Sequence, residues 1–220
     1  MSDYQAARKN MVDCQIHPAG VIDPAILEAF STIPRELFVS ENYKNMAYND
    51  EDIPLAEGRY LLEPSVYARM IQALELKPYS VVIEVGGATG YGAAILSSMV
   101  SAVVVLESEK TLLLHASKIW KELGLFNIAS VEGDLTKGNP EHAPYDSILV
   151  KGAVHEVPQT ILDQLAPGGR LICIVKKPGE VMGDVRLFEN TGDGSYPSYS
   201  VFSAGTPYLH GFEPKPEFQF

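Results

Sequence analysis

Residues 81–96, VVIEVGGATGYGAAIL, set one carboxylate, Glu84, inside an apolar run and follow it with Gly86, Gly87 and Gly90. Glycines at a strand end let the chain turn sharply and let a ligand approach the backbone amides. The order G-G-A-T-G falls short of the G-x-G-x-x-G turn that cradles a dinucleotide pyrophosphate, and Glu84 places negative charge where a pyrophosphate is unwelcome. The pattern favours a ligand with a positive centre. Two further acids belong to the same chemistry. Glu107 closes VVVLE, about twenty residues downstream, the position from which an acid hydrogen-bonds ribose hydroxyls. Asp134 closes VEGD and suits an adenine amino group. Each feature alone also fits a ligand-free turn or a solvated strand end. Three acids converging at three strand ends favour a nucleoside that carries a cation and no phosphate.

The elements that must position these residues are legible as an alternation. SVVIEV, SAVVVLES, IASVEGD, YDSILVKG and GRLICIV read as strands. GYGAAILSSMV, EKTLLLHASKIWKELGL and PQTILDQL read as helices between them. Such alternation implies crossover units and a parallel sheet covered on both faces, so the strands should be almost wholly apolar, and they are. In an open sheet of this kind the ligand lies beyond the carboxyl ends of the strands. Upstream, residues 3–17, DPAILEAF and EPSVYARMIQALEL have helical spacing, the second with Asp23 as N-cap and Pro24 in the first turn. Downstream, VRLFEN and PSYSVFSA flank TGDG and read as a hairpin added to the sheet. The expected fold is α/β, a doubly wound, mostly parallel, Rossmann-like sheet with a C-terminal antiparallel hairpin and an N-terminal helical extension. We divide the chain into an N-terminal helical and acceptor-loop region, 1–78, and a ligand-binding α/β core with its hairpin, 79–220.

Composition narrows the classes. Among 220 residues, 28 acids against 17 lysines and arginines give a net charge of −11, which repels polyanions such as nucleic acid. Lys176 and Lys177 form the densest basic spot and read as a solvated strand end. No run approaches about 18 apolar residues and the start is polar, so the reading is a cytoplasmic chain without a membrane span. Cys14 and Cys173 stand far apart and read as reduced thiols, and neither belongs to a metal site.

A nucleoside with a positive centre and no phosphate is S-adenosylmethionine. VIEVGGATGYGAAIL, VVVLES, VEGD and APYDSILVKGAVHEVPQTILDQLAPGGRLICIV resemble the ordered motifs of class I methyltransferases, and more narrowly those of the protein-L-isoaspartate O-methyltransferase family. MVDCQI, IPRELFV, MAYNDEDIPLAEG and EPSVYARM stand in that family's order, so the likeness covers roughly residues 8–178. The resemblance implies S-adenosyl-L-methionine as donor, S-adenosyl-L-homocysteine as product, and proteins or peptides with isoaspartyl residues as partners. It assigns Glu84, Gly86, Gly87, Gly90, Tyr91, Glu107, Asp134 and Leu135 to the cofactor, Tyr91 and Leu135 as flanks of the nucleoside with core packing as their alternative.

On the acceptor side the sequence departs from the family. The family reads approximately G-Q-T-I-S-Q-P where this chain has Gly58, Arg59, Tyr60, Leu61, Leu62, Glu63 and Pro64. Leu62 replaces the serine beside the acceptor carboxylate and offers no hydrogen bond, while Glu63 adds a repelling charge. Arg59 can take a carboxylate bidentately or stand exposed on its loop, and Tyr60 is the other polar group within reach. His155 and Glu156 follow a strand end and read either as a base near the crevice or as exposed loop residues. A carboxylate acceptor is ionised at pH 7 and needs no general base, so the lack of a Ser/His/Asp or Cys/His constellation fits carboxyl methylation. The expected activity is carboxyl methylation of isoaspartyl residues. A different acceptor, or a non-catalytic homologue that binds the adenosyl ligand, are the alternatives that Leu62 leaves open.

Overall fold

The computed structural model of the protein describes residues 4–56 and 58–215. The first third holds α1 (Tyr4–Met11), which runs on into a π-helical turn over Val12–Ile16, then α2 (Pro24–Thr32), the short antiparallel pair β1 (Ile53–Ala56) and β2 (Arg59–Leu61), and α3 (Pro64–Leu74). There follow β3 (Val81–Val85), α4 (Tyr91–Ser97), β4 (Ala102–Glu107), α5 (Lys110–Glu122), β5 (Ile128–Glu132), β6 (Tyr145–Val154), α6 (Gln159–Leu162), β7 (Leu165–Val175), β8 (Gly183–Glu189) and β9 (Ser198–Ala204).

Seven strands form one sheet in the order β5-β4-β3-β6-β7-β8-β9. The pairs from β5 to β7 are parallel, and β8 and β9 add antiparallel at the edge, as the hairpin pattern predicts. The chain winds outward from β3 to β5, then crosses back to place β6 on the other side of β3. That reversal opens a crevice beyond the carboxyl ends of β3 and β6.

Local chemistry explains most boundaries. Asp23 caps α2 by accepting from Ala25 N at 2.8 Å, and Pro24 occupies the first turn, where no amide donor is needed. The stretch read as a helix over PQTILDQL is helical only over Gln159–Leu162, because Leu165 already pairs with Tyr145 at the start of β7. The hairpin β1/β2 was not expected. Its strands are four and three residues long, too short to carry a period of two.

The sheet is covered on both faces. On one side Met11, Phe30, Phe38, Tyr67, Tyr91 and Trp120 are buried against β3 and β4. On the other, Leu135, Tyr145, Ile161, Leu165, Leu209 and Phe212 form a second cluster with Val85 and Val150. Each such side chain contributes about 1.5–3 kcal/mol by leaving water. Among the described residues no helix is long and apolar enough to cross a membrane. Cys14 is exposed and Cys173 is buried in β7, both as free thiols.

Candidate active site

The turn that follows β3 uses its small residues for different reasons. Gly86 and Gly90 have φ of +80° and +87°, in the left-handed region that a side chain disfavours. Ala88 also sits there, with φ +50°, at a cost of about 1 kcal/mol for a residue with a Cβ. Gly87 needs no such conformation. It is glycine because a Cβ would overlap the Val105 side chain on β4. Gly90 lies against Trp120, whose indole N–H donates to the Gly90 carbonyl at 2.9 Å. The Thr89 hydroxyl in this turn is buried without a hydrogen-bond partner.

Two residues expected to meet the ligand lie beneath the turn instead. Glu84 is fully buried under α4 and accepts from the Tyr67 hydroxyl at 2.7 Å. Burial pushes its pKa up, and the nearby Lys151 charge and the Tyr67 hydrogen bond only partly counter that. Tyr91 turns into the aromatic core, 5.4 Å from Phe38 and 6.1 Å from Phe30 between ring centroids, with the Arg35 guanidinium 5.0 Å from its own ring. Its side chain follows the core-packing alternative and does not flank the crevice.

Glu107 is where the sequence puts it, at the end of β4, but its carboxylate already has a partner. Arg59 Nε donates to both Glu107 oxygens at 3.0 Å, and Nη2 donates to Oε1 at 2.8 Å. The pair is almost wholly buried, with side-chain exposures of 2% and 0%. Glu107 also accepts from the backbone amides of Ala88 at 2.9 Å and Ser108 at 2.8 Å. Burial alone would raise its pKa. The hydrogen bonds and charge of Arg59, with the Ala88 and Glu109 amides, outweigh it and hold the carboxyl below its ordinary value. Arg59 is therefore a bidentate carboxylate reader, and the carboxylate it reads here is the chain's own.

A second segment lies over the glycine turn. After β9 the chain returns as a strap over residues 205–213. Leu209 N donates to the Ala153 carbonyl at 2.8 Å, Ala153 N to Pro207 O at 3.1 Å, and His155 N to Phe212 O at 2.9 Å. Leu209 is 2% exposed and lies over the turn, so a Cβ on Gly86 would come 2.8 Å from its Cδ1. The strap is tied to the acceptor loop as well, since the Thr206 hydroxyl donates to Asp52 Oδ2 at 2.6 Å.

The remaining expected residues lie around this centre. Leu135 is buried in the cluster that contains Leu209 and Phe212. Asp134 is exposed, caps the following turn through Thr136 N at 3.0 Å, and has Lys137 at 3.4 Å. Leu62 is 2% exposed with its side chain in the core, while its carbonyl accepts from Arg35 Nη2 at 2.7 Å. Tyr60 is half-buried on β2, opposite Pro54. His155 is half-buried, with Nδ1 lacking a partner, and Glu156 is exposed.

Two cations were missed. Lys151, near the carboxyl end of β6, is 4% exposed and donates to Gly87 O at 2.6 Å. Its pKa is lowered by burial, against the charges of Glu84 and Glu107. Arg35 is fully buried and bridges Ala47 O and Leu62 O. A lysine inside the apolar run ILVKGAV of β6 was a signal for the first. The second stands in IPRELFV with no periodic cue.

Comparison with known proteins settles the family. The model of Protein-L-isoaspartate(D-aspartate) O-methyltransferase matches residues 6–202. The chain belongs to this family. It is 40% identical to the protein-L-isoaspartate O-methyltransferase of Syntrophus aciditrophicus over 172 residues, 78% of this chain and 79% of that one. It is 36% identical to the enzyme of that name from Azorhizobium caulinodans over 192 residues, 87% of this chain and 88% of that one. A solved protein-L-isoaspartate O-methyltransferase superposes with a TM-score of 0.82 at 29% identity, covering 93% of this chain and 66% of the other.

As a protein-L-isoaspartate methyltransferase family member, the chain needs groups that fit an adenosyl ligand, and the donor set does. An acid ends β4 beside a backbone turn and a buried Thr89 hydroxyl lacks a partner, while Leu135 packs in the second core cluster. In this conformation Arg59 and Leu209 occupy the approach to those groups.

Proposed function

We propose that the protein is an S-adenosylmethionine-dependent carboxyl methyltransferase that esterifies isoaspartyl residues in damaged proteins. One observation carries the reading: in a chain matched to this family over residues 6–202, the glycine turn after β3 meets the buried Glu107 at the end of β4, the Ala88 amide donating to its carboxylate at 2.9 Å. Residues 79–220 then form the donor half and residues 1–78 the acceptor half.

S-adenosylmethionine, when bound, supplies an electrophilic methyl group. Glu107 is the acid for the ribose hydroxyls, the turn at Gly86, Gly87 and Gly90 admits the ligand close to the backbone, and Asp134 and Leu135 serve the adenine end. The acceptor carboxylate is ionised at neutral pH, so no residue has to remove a proton. The chain's work is to hold that carboxylate in line and to exclude water. The Leu62 side chain lies in the core and offers no hydrogen bond to an acceptor, which leaves Arg59 and Tyr60 as the polar side chains of β2 that can orient it.

The deciding experiment is methyl transfer from labelled S-adenosylmethionine to an isoaspartyl peptide and its aspartyl isomer. A base-labile methyl ester on the isoaspartyl peptide alone is expected. Label that is stable to base, or transfer to both isomers alike, overturns the reading.

A further inference from the structure

Arg59 stands on the strand that leads into Leu62, yet its guanidinium reaches across to the acid that ends β4. Its fork makes three contacts with Glu107, and with further bonds to Ser108 Oγ at 2.8 Å and Gly58 O at 3.1 Å it uses four of its five N–H groups. A ribose that takes Glu107 must displace this fork. The displaced guanidinium cannot remain unpaired in so dry a place, because an uncompensated buried cation is costly. It is fixed to the acceptor loop, and the group it is shaped to bind is a planar carboxylate.

Resting on the proposed carboxyl methylation, we infer that Arg59 exchanges carboxylates: the Arg59–Glu107 pair seen here is one of two alternatives, and the adenosyl ligand, by taking Glu107, releases Arg59 to hold the carboxylate of the acceptor. The exchange makes Arg59 a substrate-positioning residue and orders the binding, donor before acceptor. It also fills the place of the hydrogen-bond donor that Leu62 cannot supply. Leu209 adds to the closure, but it carries no charge and takes no part in the exchange.

Two ligands sharing one switch must help each other, since each binds best to the state that the other favours. In the wild type, an isoaspartyl peptide should therefore bind about tenfold more tightly with S-adenosylhomocysteine present than without it. Arg59→Gln should bind S-adenosylhomocysteine about tenfold more tightly, because Glu107 is then open. The same variant should lose the cooperativity and show a raised KM for the peptide. Leu209→Ala should tighten S-adenosylhomocysteine and keep the cooperativity. Calorimetry with S-adenosylhomocysteine and the peptide, alone and together, reads all of these, and circular dichroism shows which variants fold. Should Arg59→Gln fail to fold, Arg59→Met, which keeps the apolar stem and loses both the charge and the fork, takes its place with the same expectations. Equal peptide affinity with and without S-adenosylhomocysteine in the wild type overturns the exchange and leaves the methyltransferase reading standing. So does an unchanged peptide KM in the Arg59 variant. If neither wild type nor any variant binds S-adenosylhomocysteine, the exchange and the methyltransferase reading fall together.

Discussion

Tyr67 Oη donates to Glu84 Oε1 at 2.7 Å, and Gly92 is the residue that lets α4 settle onto both groups. The three positions come from a helix, a strand and a second helix, and none is exposed to water. A Cβ at Gly92 would overlap Glu84 Oε1 and Tyr67 Oη, and neither buried side chain has space to withdraw. Gly92→Ala should therefore destabilise the fold by about 2 kcal/mol or more despite its gain in helix propensity. Urea denaturation of variant and wild type measures this, and an unchanged midpoint would show that α4 shifts without cost.

Glu84 predicts a pH dependence of definite sign. Its pKa is raised above the ordinary 4.5, chiefly by burial, so the folded protein binds more protons than the unfolded chain between those two values. The stability associated with Glu84 is thus complete below the unfolded value and is lost as pH rises through the raised one. Glutamine keeps the shape and does not titrate. Glu84→Gln should gain stability relative to wild type as pH is raised from the ordinary value upward, measured as the difference in Tm across a pH series. A gap that shrinks with rising pH contradicts the assignment.

Ala88 is a further candidate for substitution. With φ +50° it pays for a Cβ in the left-handed region, and glycine removes that strain at the expense of a freer unfolded chain. The Ala88 methyl is also fully buried, so the relief of strain is offset by lost packing and by the freer unfolded chain, and Ala88→Gly should leave stability within about 0.5 kcal/mol of wild type. Chemical denaturation decides it, and a clear loss of stability would mean that the methyl group packs better than its backbone angles suggest.

Leu62 separates a structural role from a catalytic one. Its side chain is 2% exposed in the main core, so Leu62→Ser leaves a cavity and buries a hydroxyl. The expected loss is about 2–4 kcal/mol. The stability curve should be taken together with the methyl-transfer rate on an isoaspartyl peptide. A folded variant of unaltered stability would place the Leu62 side chain outside the core.

The sequence by itself determined the fold and the end of the sheet at which the glycine turn lies. Apolar strand runs alternating with helical spacing require a parallel sheet, and a glycine turn after the first of these strands can lie only at its carboxyl end. The acid at the end of VVVLE followed from strand length alone, and the N-cap at Asp23 from residue type. These are short-range facts, fixed by chain periodicity and by what each backbone position tolerates.

The tertiary structure decided where the side chains go. Glu84 and Tyr91 stand in the same stretch as the glycines, yet both turn beneath α4, because alternation in a strand and rotation in a helix send neighbours to opposite faces. Arg59 and Glu107 are 48 residues apart, and the short β1/β2 hairpin brings them together without a periodic signal of its own. The strap at 205–213 is irregular chain held by Ala153, His155 and Asp52, partners that no local pattern names. A charged pair can be buried only when its two halves meet with the right geometry, and that meeting depends on packing between elements remote in sequence.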